Sequence, residues 1–128
     1  MNYTKYIADR FLRIEETFQI LPSMKRFYKV GLLTNMYPGV LEIVIESNFF
    51  NIEFDEIVNS SKYKVAKPDE AIYSIATEKT GCGKKQIFFV DDSVENIEAA
   101  KNYGWQTFLL DLNNPKDSVD NIKTYLGI

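Results

Sequence analysis

The 128-residue sequence contains no histidine and only one cysteine, Cys82. Without histidine, the chain cannot build a Cys–His nucleophile or the mixed cysteine and histidine zinc site of many small domains. A single cysteine cannot form a disulfide within the chain. The sequence therefore predicts a protein of the reducing cytoplasm.

Long apolar runs and concentrated positive charge are also lacking. No stretch approaches the roughly 20 apolar residues that span a membrane, and the first residues contain no apolar signal segment. The net charge is −3, and the lysines and arginines are scattered along the chain. A nucleic-acid-binding domain normally collects positive charge on one face. We therefore expect neither a membrane nor a nucleic-acid partner.

What the chain does contain is the composition of an ordinary globular domain, with 45% hydrophobic and 26% charged residues. Short apolar runs alternate with segments of helical periodicity, which predicts an α/β fold: a Rossmann-like parallel sheet flanked by helices. The predicted strands are 30–34, 56–60, 86–90 and 106–111. The predicted helices are one ended by Pro22, one opened by Pro38, one from Asp69 to Thr80, one from Ser93 to Gly104 and one at the C-terminus.

Polar residues follow three of these segments, at or just after the point where a strand ends. They are Thr34, Lys67 and the adjacent pair Asp91 and Asp92. In parallel α/β sheets, ligands bind beyond the carboxyl ends of the strands. These residues are therefore the first candidates for a functional site.

The two aspartates allow two interpretations. Asp92 alone could cap the following helix, with Glu95 three residues later completing a pattern close to a capping box. Capping needs only one carboxylate, however, and two adjacent carboxylates repel unless a positive charge lies against them. With Asn96 one helical turn later, the pair forms a set of oxygen ligands that suits Mg²⁺.

Thr34, Asn35 and Lys67 also have an ordinary and a functional interpretation. Thr34 and Asn35 could be simple turn residues, and Lys67 could be a solvated surface lysine. A hydroxyl with nearby backbone N–H groups could equally hold a phosphate oxygen, and Pro68 would stiffen the loop that carries the lysine. Together with the aspartate pair, they supply the groups for phosphoryl transfer except the nucleophile.

Three segments resemble the second, third and fourth motifs of the haloacid dehalogenase (HAD) hydrolase superfamily. They read "GLLTN", "KVAKPDEAIY" and "IFFVDDSVENIEAAKNYGW". The resemblance covers about residues 18–112 and is closest to the phosphatase-type branch with a helical cap. It implies that Thr34 and Asn35 bind the phosphoryl group, that Lys67 balances its charge, and that Asp92, helped by Asp91 and supported by Asn96, holds Mg²⁺.

The first motif of that family, which supplies the nucleophilic aspartate and the acid, is not found. No D-x-D pattern occurs in the sequence, and Asp9 lies within a helical pattern. We therefore interpret residues 1–21 as the remnant of a helical cap or a linker helix. Residues 22–128 are then a truncated HAD-like core without its first, central strand. Direct strand pairing, a second chain or exchange between two copies could complete the sheet.

The resemblance implies hydrolysis of a small phosphorylated metabolite through an aspartyl-phosphate in the full-length protein, whereas this chain alone should be inactive. A non-catalytic or partner-dependent module with the same fold is the alternative. A dehalogenase is less favoured, because that branch needs no metal. A phospho-acceptor receiver domain is disfavoured, since receivers place the acidic pair first and the lysine last.

Overall fold

The computed structural model describes residues 15–37, 39–47, 50 and 52–128, and the alternating pattern of the sequence forms helices and strands in the predicted order. The elements are α1 (Glu15–Lys25), β1 (Gly31–Thr34), α2 (Val40–Glu46), β2 (Glu56–Asn59), α3 (Ser60–Tyr63), α4 (Glu70–Thr80), β3 (Phe88–Asp91), α5 (Val94–Tyr103), β4 (Gln106–Leu109) and α6 (Pro115–Leu126). A 3₁₀ turn, Lys84–Gln86, precedes β3.

The chain divides into two compact units. The first comprises residues 1–30, 37–55 and 111–128, and the second comprises residues 31–36 and 56–110. Helices α1, α2 and α6 belong to the first unit, and all four strands with α3, α4 and α5 belong to the second. All the predicted site residues therefore lie in the second unit.

The end of the first helix differs from the prediction. Pro22 does not end α1, which runs through it to Lys25. A proline inside a helix removes its own N–H donor, here the partner of the Phe18 carbonyl, and its ring crowds that carbonyl. The last turn beyond Pro22 forms nonetheless. The predicted boundary between residues 21 and 22 thus falls inside α1. Because residues 1–14 lie outside the described part, the assignment of 1–21 to a cap stays a prediction.

In the first unit, α1 packs against α6. The Tyr28 hydroxyl donates a 2.7 Å hydrogen bond to the Leu126 carbonyl. Helix α2 buries Val40, Leu41 and Val44 as its periodicity predicts, but Ile45 on the same predicted face is 42% exposed. Pro38 and Phe49, also assigned to this helix from the sequence, lie outside the described residues.

The strands of the second unit form two parallel pairs. β1 pairs with β2, with Thr34 opposite Asn59, and β3 pairs with β4, with Asp91 opposite Leu109. The four predicted strands form two separate parallel pairs and not a single sheet, because β1 and β3 are not paired with each other within the described residues. A core without its first, central strand leaves such a gap. The parallel direction of the strands is as predicted. Direct pairing of β1 with β3 is thus not how this chain completes its sheet.

Helix α4 joins the two strand pairs by side-chain packing instead of backbone hydrogen bonds. Its buried residues Ile72, Tyr73 and Ala76 belong to one apolar cluster with Val58 of β2 and Phe89 of β3. Burial of apolar surface is non-directional, so one helix can stabilise both pairs without ordering them into one sheet. This common core fixes where the ends of β1 and β3 lie within the unit.

Helices α4 and α5 begin and end at capping residues, within the limits that the sequence predicts. The Asp69 side chain accepts from the Ala71 N–H at the start of α4, and Gly81 ends this helix at a φ of 68°. The Ser93 side chain accepts from the Asn96 N–H at the start of α5, and Gly104 ends it at a φ of 117°. The helix limits predicted for these two segments are confirmed, whereas the short helix α3 falls in a segment predicted to be a strand end and a loop.

Candidate functional site

The loop that carries Lys67 is fixed to the end of β1 by Asn35. The Asn35 side-chain amide donates to the Lys67 carbonyl over 3.2 Å, and its oxygen accepts from the Lys67 N–H over 3.1 Å. Both bonds involve the main chain of residue 67. Asn35 is therefore not merely a turn residue, because it sets the position from which the lysine side chain extends.

The Lys67 side chain reaches the end of β3. Its Nζ lies 2.8 Å from Asp91 Oδ2, and the two side chains are only 11% and 8% exposed. The ammonium also lies 5.6 Å from the centre of the Phe89 ring, within the range of a cation–π contact. Lys67 is therefore a buried, paired cation and not the solvated surface lysine of the ordinary interpretation.

The Asp91 carboxylate accepts three hydrogen bonds from the described residues. Besides the bond from Lys67, its Oδ1 accepts from the Ser93 N–H over 2.8 Å, and its Oδ2 accepts from the Asn96 side-chain amide over 3.2 Å. Burial alone would raise the pKa of this carboxyl group. The charge and hydrogen bond of Lys67, with the donors of Ser93 and Asn96, outweigh burial and hold the pKa below its ordinary value. Asp91 is therefore a carboxylate at neutral pH.

Asp92 differs from its neighbour in position and surroundings. The N-cap of α5 is Ser93, so the interpretation of Asp92 as the capping residue is wrong. The cap lies one residue later because β3 extends through Asp91 and leaves Asp92 between strand and helix. Asp92 is partly exposed at the carboxyl end of β3.

The described residues do not form a complete metal site. No group of three or more His, Cys, Asp or Glu side chains in the described ranges is placed to hold a metal ion. Asp91 meets Lys67 and two further donors, and a metal ion that took Oδ2 would have to displace the ammonium. Hard cations such as Mg²⁺ need about six oxygen ligands. Asp92 with Asn96 could provide only part of such a set.

The structure thus brings together four of the predicted residues, Asn35, Lys67, Asp91 and Asn96, through direct hydrogen bonds. Thr34 is the last residue of β1, directly before Asn35, and is partly exposed. The roles assigned to these residues from the resemblance stay predictions.

Two buried aromatic residues next to this group were not singled out from the sequence. Phe89 lies beside Lys67, and the Tyr73 hydroxyl donates to the Asn96 carbonyl over 3.1 Å. The spacing of Tyr73 six residues after Lys67, within a helix that starts at Asp69, was the available signal. That spacing equally fits an ordinary core residue. The sequence therefore could not show whether Tyr73 only fills the core or also bonds to the candidate site.

Comparison with protein families decides where this arrangement belongs. The family model for haloacid dehalogenase-like hydrolases matches residues 2–110. The chain belongs to the haloacid dehalogenase-like hydrolase family. The resemblance stated from the three motifs is confirmed.

Among the helices of the described residues, none is both long and apolar enough to cross a membrane.

The HAD-like chain is similar to curated relatives with different reactions. It is 25% identical over 112 residues to an (S)-2-haloacid dehalogenase of Pseudomonas fluorescens, covering 84% of this chain and 49% of the relative. It is 26% identical over 117 residues to a GMP/IMP nucleotidase of Escherichia coli K12, covering 91% and 52%. The chain therefore spans about half the length of these relatives.

A solved structure of a HAD family enzyme from Bacteroides thetaiotaomicron, in complex with magnesium and inorganic phosphate, shares the fold. Its TM-score is 0.67 at 27% identity, and the match covers 77% of this chain and 52% of that one. The HAD-like fold expected from the motifs is confirmed by this similarity.

Proposed function

We propose that this HAD-like chain supplies the phosphate-binding part of a Mg²⁺-dependent phosphomonoester hydrolase. The observation that carries the proposal is the position of the Lys67 ammonium at the carboxyl ends of β1 and β3. Asp91 holds the ammonium, and two hydrogen bonds of the Asn35 side chain, here called the Asn35 clamp, hold the main chain of Lys67. The similarity to a nucleotidase and to a structure with magnesium and phosphate supports the same reaction class. The substrate class is a small phosphorylated metabolite.

In this proposal, Lys67 and Thr34 stabilise negative charge on the phosphoryl group. A buried ammonium interacts more strongly with a phosphate oxygen than an exposed one, since the local dielectric is lower. The Asp91 carboxylate fixes the Lys67 ammonium in place before substrate arrives, so little reorganisation is needed on binding. The Thr34 hydroxyl, one residue before the clamp, would donate to the same phosphoryl group.

The nucleophile must come from outside the residues described here. In the reaction proposed, an aspartate oxygen attacks phosphorus as the ester P–O bond breaks, and an acid from the same missing motif gives a proton to the departing alcohol oxygen. Water then cleaves the aspartyl-phosphate and releases inorganic phosphate. Asp91 is not this nucleophile, because its oxygens accept hydrogen bonds from Lys67, Asn96 and Ser93. Asp92 is proposed as one ligand of a Mg²⁺ site that further carboxylates complete.

We also propose that a strand from a further polypeptide segment completes the sheet between β1 and β3. Both strands pair on one side only within the described residues, although both carry apolar side chains of the common core. Such edges favour the addition of an extended segment. Analytical ultracentrifugation tests whether a second copy supplies that segment. A monomer at all concentrations would exclude exchange between copies.

The first experiment is a phosphatase assay of the isolated 128-residue chain with a generic aryl phosphate and Mg²⁺. We expect no turnover, because a lost nucleophile and acid act as a unit and their removal costs many orders of magnitude in rate. An Asp92→Ala variant is the matched control. Turnover that this substitution abolishes would mean that another carboxylate, or a second copy, completes the site.

The second experiment distinguishes a phosphatase part from a non-catalytic module of the same fold. Inorganic phosphate with Mg²⁺ is titrated into the ¹⁵N-labelled chain, and NMR shifts near Thr34 and Lys67 are followed. We expect weak binding that Lys67→Ala abolishes, with Lys85→Ala as a control at an exposed lysine. No binding by the unaltered chain would favour the non-catalytic module.

A dehalogenase is the second candidate, supported by the similarity to (S)-2-haloacid dehalogenases. Halide release from a 2-haloacid by the complete protein, without stimulation by Mg²⁺, would favour it over the phosphatase. The cytoplasmic location inferred from the single cysteine remains part of the proposal, and fractionation of the cells that make the protein tests it.

A further inference from the structure

We propose that Tyr73 is a positioning residue for Lys67 and Asp91, acting through the main-chain carbonyl of Asn96. Its role in phosphate binding rests on the function proposed above, whereas its role in fixing the side chains does not. Tyr73 touches neither charged group through a hydrogen bond, so any effect on them must pass through Asn96 or through Phe89.

Tyr73 makes a directional hydrogen bond from a buried side chain. The side chain is fully buried, and its hydroxyl donates to the Asn96 carbonyl over 3.1 Å. Burial, together with the nearby Asp91 charge, raises the pKa of Tyr73 to about 12. The hydroxyl therefore remains a donor throughout the neutral range, and its bond connects α4 to the first turn of α5.

The contacts around Tyr73 form a closed ring that includes both charged residues. The Tyr73 ring lies 6.1 Å from the Phe89 ring in an edge-on arrangement, and Phe89 lies 5.6 Å from Lys67 Nζ. Lys67 bonds to Asp91, Asp91 accepts from the Asn96 side chain, and the Asn96 carbonyl returns to Tyr73. Displacement of one member therefore changes the position of the others.

The place of Tyr73 in the chain explains why it suits this role. Helix α4 starts three residues after Lys67, and α5 starts three residues after Asp91. A bond between these two helices therefore holds together the two loops whose side chains form the ion pair. Each contact of a packed aromatic cluster also limits the rotamers of its neighbours.

The test compares two variants of the full 128-residue chain. Tyr73→Phe removes only the hydroxyl and keeps the ring. Thr77→Val removes a hydroxyl from the same helix that bonds to the Trp105 indole over 2.9 Å and to the Tyr73 carbonyl over 2.8 Å. Trp105 packs 5.1 Å from Tyr73, so the control perturbs the same aromatic cluster. Both variants lose a hydroxyl that takes part in hydrogen bonds, and only the first loses the bond to Asn96.

The readouts are the exchange rate of the Ser93 amide proton, which bonds to Asp91, and the NMR shift of the Asn96 side-chain amide. Exchange is expressed relative to the Phe108 amide of β4, so that a general loss of stability cancels. In Tyr73→Phe we expect the relative exchange of Ser93 to rise roughly fivefold to tenfold and the Asn96 signal to shift. In Thr77→Val we expect the Trp105 indole to exchange faster and the Ser93 and Asn96 signals to stay unchanged.

Unchanged Ser93 exchange and Asn96 shift in Tyr73→Phe would overturn the proposal. Equal changes in both variants would overturn it too, because they would show a general loosening of the aromatic cluster. Phosphate titration of the unaltered chain separately tests the proposed function. Failure to bind phosphate would contradict that function. The positioning role of Tyr73 would still be tested by the Ser93 exchange rate and the Asn96 shift.

Discussion

Among the described residues, each of the two units has a lysine–aspartate ion pair, and the two pairs have nearly the same N–O distance in different surroundings. Lys67 and Asp91 of the second unit are 2.8 Å apart, with side chains 11% and 8% exposed. Lys25 and Asp55 of the first unit are 2.7 Å apart, with side chains 30% and 35% exposed. Distance alone therefore does not distinguish a candidate site from a surface contact, whereas burial does.

The two aspartates also differ in what else they bond. Asp55 accepts from the Val30 N–H over 2.7 Å, and its own N–H donates to the Val30 carbonyl over 2.8 Å. The Lys25 hydrogen bond first and the Val30 donor second hold the pKa of Asp55 below its ordinary value. Asp55 thus ties two loop segments together, whereas Asp91 holds a cation at the ends of two strands.

The largest difference between the pairs should appear when the aspartates are removed. Asp91→Ala leaves the Lys67 ammonium buried and unpaired, so we expect the free energy of unfolding to fall by about 3 kcal/mol. Asp55→Ala should have a clearly smaller effect, because solvent replaces the partner of Lys25. Urea denaturation of both variants measures this. Equal losses would show that burial does not separate the two pairs.

Asn35→Ala should have the next largest effect. It removes both hydrogen bonds to the Lys67 main chain, and we expect a loss of about 1 kcal/mol in the free energy of unfolding. The phosphate affinity of the chain should fall as well, since Lys67 loses its fixed starting point. Asn113→Ala, at another exposed loop asparagine, is the control. A loss of stability without any change in phosphate binding would restrict Asn35 to a structural role.

A smaller effect is expected from pH. Both aspartates have folded-state pKa values below the unfolded value of about 3.9, so the stability they contribute is complete above that pH. It is lost as the pH falls through the folded-state values. In Asp91→Asn the decline of stability below about pH 4 should be less steep than in the unaltered chain. An unchanged decline would mean that other carboxyl groups cause the acid sensitivity.

The smallest effect should come from salt. Raising the NaCl concentration to 1 M shortens the screening length to about 3 Å, which weakens exposed pairs much more than buried ones. The difference in stability between the unaltered chain and Lys25→Ala should therefore shrink in high salt. The corresponding difference for Asp91→Ala should persist. Urea denaturation curves of the unaltered chain and both variants, at low and high salt, measure these differences. If high salt reduced the stability difference of both variants equally, burial would not separate the two ion pairs.

Much of the fold could be predicted, because local chemistry determines it. The side chains of Asp69 and Ser93 cap the starts of α4 and α5, and the backbone freedom of Gly81 and Gly104 allows these helices to end. The absence of the first, central strand already left a gap between β1 and β3 as one possible outcome. The motifs could not show whether these two strands would pair directly, since the pairing of strands distant in sequence depends on packing such as that of α4. The continuation of α1 through Pro22 could not be predicted, because a proline inside a helix loses a hydrogen bond and crowds the carbonyl four residues earlier, and both effects favour a helix end.

The residues of the candidate site could be predicted from the sequence, but the hydrogen bonds between them could not. Asn35, Lys67, Asp91 and Asn96 were all named from the position of strand ends and from the motifs. That Asp91 pairs with Lys67, while Ser93 caps the helix in place of Asp92, depends on where β3 ends to within one residue. Hydrophobic periodicity does not define strand ends that finely. Tyr73 was missed because a buried aromatic residue has no signature of the hydrogen bond it makes.

Both hydrogen bonds of the Asn35 clamp join it to the main chain of residue 67, and neither involves the side chain of that residue. Any amino acid other than proline, which lacks the N–H that Asn35 accepts, could keep both bonds. Position 67 is thus a place where the backbone under a probe stays fixed. A cysteine labelled with a fluorophore there would report on what enters the space at the strand ends, with Asp91 deprived of its Lys67 partner.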